Sequence, residues 1–187
     1  IKASGAPRIS YRHCDLDDLE KKLKASPAES RIIVSDGVFS QDGDIVPLPG
    51  MLQLAERYDA VVYIDDAHGT GVLGATGGGT TEYFGVNSPR LLSMGTLSKA
   101  YGAIGGFVAM DACMAEVLRF TCPAYGFTST LPPDQVFALL EALRIAHDEP
   151  ERRARLWENQ RRFIAGVKAL GLPMLSEASA IVPVLIG

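Results

Sequence analysis

Four short apolar runs, separated by helical or turn-rich stretches, constrain this chain more than any other feature. Residues 31–34, 60–64, 91–94 and 107–109 are each bounded by glycine or polar turns, the pattern of strands buried inside a sheet. Asp15 stands directly before Leu16, Leu19 and Leu23, whose helical spacing predicts a capped helix ending near Ser26 and Pro27. A second helix is expected over residues 49–58. Strands that alternate with helices pair in parallel, because each crossover needs a dozen or more residues. An α/β fold with a mostly parallel sheet flanked by helices follows.

The C-terminal third reads differently. Val136, Phe137, Leu139, Leu140 and Leu143 predict a helix over 132–147 with proline in its first turn. Leu156, Phe163, Ile164, Val167 and Leu170 form one stripe of a longer helix over about 150–170. Its arginines, Arg152, Arg153, Arg161 and Arg162, are expected to face solvent and not an anionic partner. Residues 181–186 read as a further strand. The HDEP stretch at 147–150 is the linker candidate, which divides the chain into residues 1–147 and 148–187.

Composition narrows the function classes. The 187 residues are 47% hydrophobic with a net charge of −4, enough for one well-packed domain and the start of another. No basic, aromatic-interleaved patch marks a nucleic-acid binder, and no apolar run approaches the roughly 20 residues of a membrane span. Cys14, Cys113 and Cys122 are odd in number and widely spaced. Free thiols in a reducing, cytoplasmic setting fit best, and neither the cysteines nor His13, His68 and His147 show the short spacing of a metal knuckle. No metal site is expected.

Two segments carry chemistry. The first, YIDDAHGTG, places Asp65, Asp66 and His68 at the carboxyl end of the 60–64 run, where α/β sheets put their ligands. The second, GTLSKAYGAIGG, flanks Lys99 with Thr96, Ser98 and several glycines. Taken singly, the acids would cap a turn, the histidine would be structural and the lysine would lie on the surface. Together they match what pyridoxal phosphate needs. A lysine forms an imine with its aldehyde, an acid keeps its pyridine nitrogen protonated, an imidazole binds its ring oxygen, and hydroxyls hold its phosphate.

Competing motifs fail on context. Gly69, Gly71 and Gly74 match the dinucleotide fingerprint, but no helix pattern follows and no acid stands about 20 residues on. No glycine-rich run directly precedes Lys99 as a phosphate-binding loop requires, and Thr96 occupies the serine position of an SxxK pair.

DGVFSQDGD, YIDDAHGTGVLG, GTLSKAYGAIGGF and FTSTLPP, in that order, resemble the pyridoxal phosphate-dependent α-oxoamine synthases across nearly the whole chain. The resemblance implies the fold type I large domain, with a mostly parallel seven-stranded sheet, and a homodimer whose active sites lie at the interface. It also implies the start of a small C-terminal α/β domain. Lys99 matches the lysine that bonds the cofactor, Asp65 the partner of the pyridine nitrogen and His68 the partner of the ring oxygen. Ser40 matches a serine near the cofactor, and Thr96 a phosphate ligand beside Ser98. Thr128, Ser129 and Thr130 match a segment that reaches the neighbouring subunit's phosphate.

The implied activity is a carbon acyltransferase, condensing an amino acid with an acyl-CoA to an α-amino ketone, usually with decarboxylation. Another fold type I activity, an aminotransferase or a carbon–carbon lyase, shares most of these residues, and an inert fragment or scaffold subunit is the non-catalytic alternative. The family's ring-stacking residue and a helix-start phosphate pair are expected before residue 1. Its arginine for the substrate carboxylate is expected after residue 187, so the chain reads as a fragment.

Overall fold

The computed structural model describes residues 2–186. Four strands, β1 (Arg31–Asp36), β2 (Ala60–Asp65), β3 (Leu91–Thr96) and β4 (Gly106–Ala109), form one sheet in that order. The first three are parallel and β4 runs antiparallel to β3. The sheet is therefore mixed, and the reason is local. Only residues 97–105 connect β3 to β4, too few for the crossover that parallel pairing requires.

Helices α1 (Leu16–Ala25) and α2 (Leu48–Arg57) form where the sequence predicts them. The Asp15 carboxylate accepts from the Asp18 N–H at 2.8 Å and closes the first turn of α1. Leu48, Met51 and Ala55 of α2 pack with Leu19 and Leu23 of α1 against Ala60, Val62 and Ile64 of β2. All eight are buried, and this layer is the core of the molecule. β2 buries alternate residues, so Val61, Tyr63 and Asp65 lie on the opposite, half-open face.

Three helices are absent from the sequence reading: α3 (Thr80–Phe84), α4 (Ala112–Thr121) and α5 (Pro123–Gly126). α3 and α5 are barely one turn, too short for a periodic stripe to register. α4 is opened by Asp111, whose carboxylate accepts from the Cys113 N–H at 2.9 Å, but buries none of its side chains. α6 (Pro133–Asp148) and α7 (Glu151–Ala169) appear as expected, and Glu149 and Pro150 break the chain between them.

Two expectations are corrected. Of the apolar stripe predicted for α7, only Val167 is buried, while Leu170 is 75% exposed. The helix is anchored instead by Gln160, whose Nε2 donates to the carbonyls of Glu177 and Ser179 at 3.0 and 3.1 Å. Of its arginines, Arg152, Arg161 and Arg162 are exposed as expected, and Arg153 is half-buried, with Nη1 donating to the Ala146 carbonyl at 2.7 Å. Residues 181–186 do not form a strand. Pro183 has no N–H to give a ladder, and the segment makes one antiparallel bridge, Met174 with Val184.

Candidate active site

The carboxyl ends of three adjacent strands collect the polar groups. Asp36 closes β1 and lies in register with Asp65 at the end of β2, which in turn lies in register with Met94 of β3. β3 ends two residues later at Thr96, and Lys99 follows in the turn. Parallel pairing is what brings these ends together on one edge.

Lys99 Nζ lies 2.9 Å from His68 Nε2. An ammonium can only donate, so Nε2 accepts and the imidazole proton sits on Nδ1. Burial, and then the charge of Lys99, lower the His68 pKa, against the opposing carboxylates of Asp36 and Asp65. The ring is held neutral. A histidine whose folded pKa lies below its ordinary value of about 6.5 contributes stability that is present above that value and lost as pH falls through the folded pKa. Thermal unfolding across the acid range tests this. His68→Gln is expected to remove part of the acid destabilisation, and an unchanged pH profile would sink the assignment.

The two neighbouring acids have separate fates. Asp65 lies on the half-open face, with Oδ1 accepting from the Ala67 N–H at 3.1 Å. Asp66 is only 1% exposed and accepts from the Thr80 N–H at 2.7 Å and from the Thr80 hydroxyl. Its carboxylate fills the space where a side chain at Gly69 or Gly79 would stand, and Gly79 also has φ of +85°. Replacing Gly79 with alanine would therefore meet both a buried charge and a left-handed backbone. Asp66 organises the glycine loop; it does not face the site.

Thr96 Oγ1 and Ser98 Oγ lie 2.8 Å apart, and the Ser98 N–H points at Thr96 Oγ1 at 3.3 Å. Both hydroxyls stand beside Lys99 with capacity to bind an anion. A cavity of about 220 Å³ is lined by Ala67, His68, Thr70, Lys99, Leu156 and Ile181 among others. A larger one, about 460 Å³, is lined by Ser93, Phe107 and Asp111 among others. It holds no lysine, histidine or cysteine, so the smaller cavity is the chemical one.

Ser40 lies in an exposed turn, and Thr128, Ser129 and Thr130 lie in an exposed segment before α6. None of the four lines either cavity, and neither do Asp65, Thr96 or Ser98, which are tied to Lys99 by strand register and chain adjacency instead. Asp36 was missed by sequence reasoning. Desolvation, and then the Asp65 carboxylate, raise its pKa, while His68 and Lys99 oppose the rise. Its signal in the sequence was its place at the carboxyl end of a predicted strand, directly before Gly37.

The aminotransferase class I and II family matches residues 1–187. The chain belongs to that family. Among curated members, 8-amino-7-oxononanoate synthase 1 of Bacillus velezensis is 43% identical over 100% of this chain and 48% of its own length. The 8-amino-7-oxononanoate synthase of Thermosipho melanesiensis is 41% identical over the same shares. This family member thus spans about half the length of the curated relatives it matches.

Solved structures agree on the fold type. Serine palmitoyltransferase from S. paucimobilis, solved with PLP and myriocin bound, superposes with a TM-score of 0.88 at 36% identity, covering 95% of this chain and 47% of its own. The 8-amino-7-oxononanoate synthase of Francisella tularensis superposes at 0.80 with 28% identity, covering 100% and 54%. The mixed sheet with its flanking helices is the fold type I architecture of this family. No helix among the described residues is long and apolar enough to cross a membrane.

Proposed function

We propose that the intact protein holds pyridoxal phosphate on Lys99 and condenses an amino acid with an acyl-CoA, giving an α-amino ketone, free CoA and usually carbon dioxide. The observation that carries this reading is the Lys99–His68 contact at 2.9 Å beside the strand-end carboxylate of Asp65. The donor set fits the cofactor. Lys99 offers a primary amine beside an imidazole held neutral, and Thr96 and Ser98 bond chiefly to each other and so leave hydroxyl capacity for a phosphate.

Bound pyridoxal phosphate supplies an electron sink that acidifies the amino acid's Cα–H bond. Lys99 takes and returns that proton as general base and acid. Asp65 holds a proton on the pyridine nitrogen, and His68 hydrogen-bonds the ring oxygen. Thr96 and Ser98 bind the phosphate, with Ser40 nearby.

Thr128, Ser129 and Thr130 reach the phosphate of a second copy, which makes the working unit a homodimer. Their exposure, and that of Phe127 and Phe137 at 91% and 73%, supports a surface that a further part of the protein covers. Residues 148–187 begin a smaller second domain, supported by the helix break at Glu149 and Pro150. Three free cysteines support a cytoplasmic location.

Intact protein incubated with the cofactor is expected to turn yellow. Glycine, alanine or serine should shift that absorbance, and acyl-CoA should then release free thiol only in the presence of the effective amino acid. A protein that stays colourless overturns the cofactor assignment. A coloured protein that exchanges amino groups with a keto acid and releases no CoA overturns the acyl transfer.

A further inference from the structure

We propose that His13, Cys14 and Asp44 form a binding site for a borderline divalent cation of the zinc class, outside the Lys99 site. Sequence spacing could not show it, because Asp44 lies 31 residues after His13. The fold gathers all three on one point. His13 Nε2 and Cys14 Sγ each approach Asp44 Oδ2, at 2.7 and 3.7 Å, and lie 3.7 Å from each other. All three ligand atoms fall within 4.8 Å of one another.

The spacing suits a tetrahedral ion. Zinc bonds of about 2.3 Å to sulfur and about 2.0–2.1 Å to nitrogen and oxygen set sulfur edges of roughly 3.6 Å and a nitrogen–oxygen edge of roughly 3.3 Å. Two edges already match. The third requires Nε2 and Oδ2 to part by about 0.6 Å, the change expected when an ion replaces a hydrogen bond between them.

Two further observations point to a ligand. Asp44 Oδ1 is buried and has no hydrogen-bond partner, so the carboxylate is served only at Oδ2, the atom that faces His13 and Cys14 and would take the ion. Cys14 holds φ at +51°, a left-handed conformation uncommon for a residue other than glycine, asparagine or aspartate. That turn lets the neighbouring side chains of His13 and Cys14 reach the same oxygen, whereas extended or helical neighbours diverge. Such strain persists where surrounding structure fixes it, as at ligand clamps.

The supports are firm. The His13 ring packs edge-on against Phe39 at 4.3 Å. Asp44 sits in a loop closed by the Phe39 N–H to the Asp44 carbonyl at 3.1 Å and by the Val38–Ile45 bridge. Without an ion, burial and the carboxylates of Asp44 and Asp42 push the Cys14 thiol up to about 11. A dication inverts that balance. Binding transfers the thiol proton to water and forms a sulfur–metal bond, so thiolate and carboxylate together neutralise the 2+ charge. The His13 side chain is 46% exposed and that of Asp44 32%, which leaves an entry path and room for a water as fourth ligand.

The ion would staple the turn before α1 to the loop of Ser40. That loop also receives the hydroxyls of Ser176 and Ser179 on the Gly43 carbonyl at 3.2 and 2.7 Å. The site stands on its own residues and does not depend on the pyridoxal phosphate reading.

Cobalt titration of the chelator-treated intact protein provides the test. One equivalent is expected to give the intense visible bands of tetrahedral cobalt with a thiolate charge-transfer band, both removed by added zinc. Cys14→Asn, which suits the left-handed backbone, should abolish the charge-transfer band and weaken cobalt binding on the order of 100-fold or more. His13→Gln should weaken it similarly. A Cys113→Ser/Cys122→Ser double variant should behave as the parent. No tetrahedral spectrum, a charge-transfer band that survives Cys14→Asn, or one lost in the double variant would overturn the site and leave His13–Asp44 as a plain hydrogen bond.

Discussion

Lys99→Ala is expected to lower turnover of the intact protein by about 10²–10⁴-fold from the lost general base alone, and further through loss of the covalent link to the cofactor. The visible absorbance should disappear with it. Lys99→Arg should be as inactive, because a guanidinium keeps the charge but does not give up its proton near neutral pH. That pair separates chemistry from electrostatics. Lys99 is exposed, so the unfolding free energy should change little, within about 0.5 kcal/mol. His68 supplies an independent readout. Removing Lys99 removes the second of the two causes that hold its pKa down, so an NMR titration should show that pKa rising while burial still opposes full recovery. Retained turnover in either variant would end the assignment of Lys99.

The second large effect falls on stability and divides two adjacent acids. Asp66→Ala is expected to cost about 3 kcal/mol, since it leaves the buried Thr80 N–H without its acceptor and opens a void between the glycines. Asp66→Asn should cost less. Its amide oxygen can take the Thr80 N–H, and its NH₂ can donate to the Thr80 hydroxyl once that group rotates. Burial raises the Asp66 pKa despite the two bonds from Thr80. The folded state therefore holds this proton more tightly than the unfolded chain, so the contribution of Asp66 is greatest in acid and declines as pH rises through the folded pKa. Urea unfolding should accordingly show a smaller deficit for Asp66→Asn at neutral pH than in acid.

Asp65→Ala should do the reverse of Asp66→Ala, lowering activity while the urea midpoint stays close to the parent's. If Asp65→Ala unfolded the protein and Asp66→Ala only slowed it, the roles given to the two carboxylates would be exchanged.

Much of this was legible beforehand where the signal is local. Apolar runs bounded by turns located all four strands to within two residues, and Asp15 with its following leucines located α1. Lys99, His68 and Asp65 were legible as residue types suited to one chemistry, and their positions at or just after the ends of strands 60–65 and 91–96 explain why Lys99 meets His68 beside the end of β2. The helix over 112–121 was not legible, because its side chains bury nothing and leave no one-sided pattern. The strand expected at 181–186 was apolar enough, but Pro183 removes the donor that a ladder needs. Asp36 carries no motif signal of its own, and only its register with Asp65 places it beside the candidate site.

The sequence by itself determined the order of strands and helices, the α/β class and the chemical groups available at the strand ends, because periodicity, capping and turn chemistry act over a few residues. Tertiary structure supplied the physical reason for separating two neighbouring carboxylates that the motif resemblance had already told apart, since the phase of β2 puts Asp65 on the half-open face and the glycine loop encloses Asp66. It alone joined Lys99 to His68 and gathered His13, Cys14 and Asp44, each across 31 residues between the paired ends. Contacts at that separation depend on how strands pair and loops close, and no local signal in the chain records that closure.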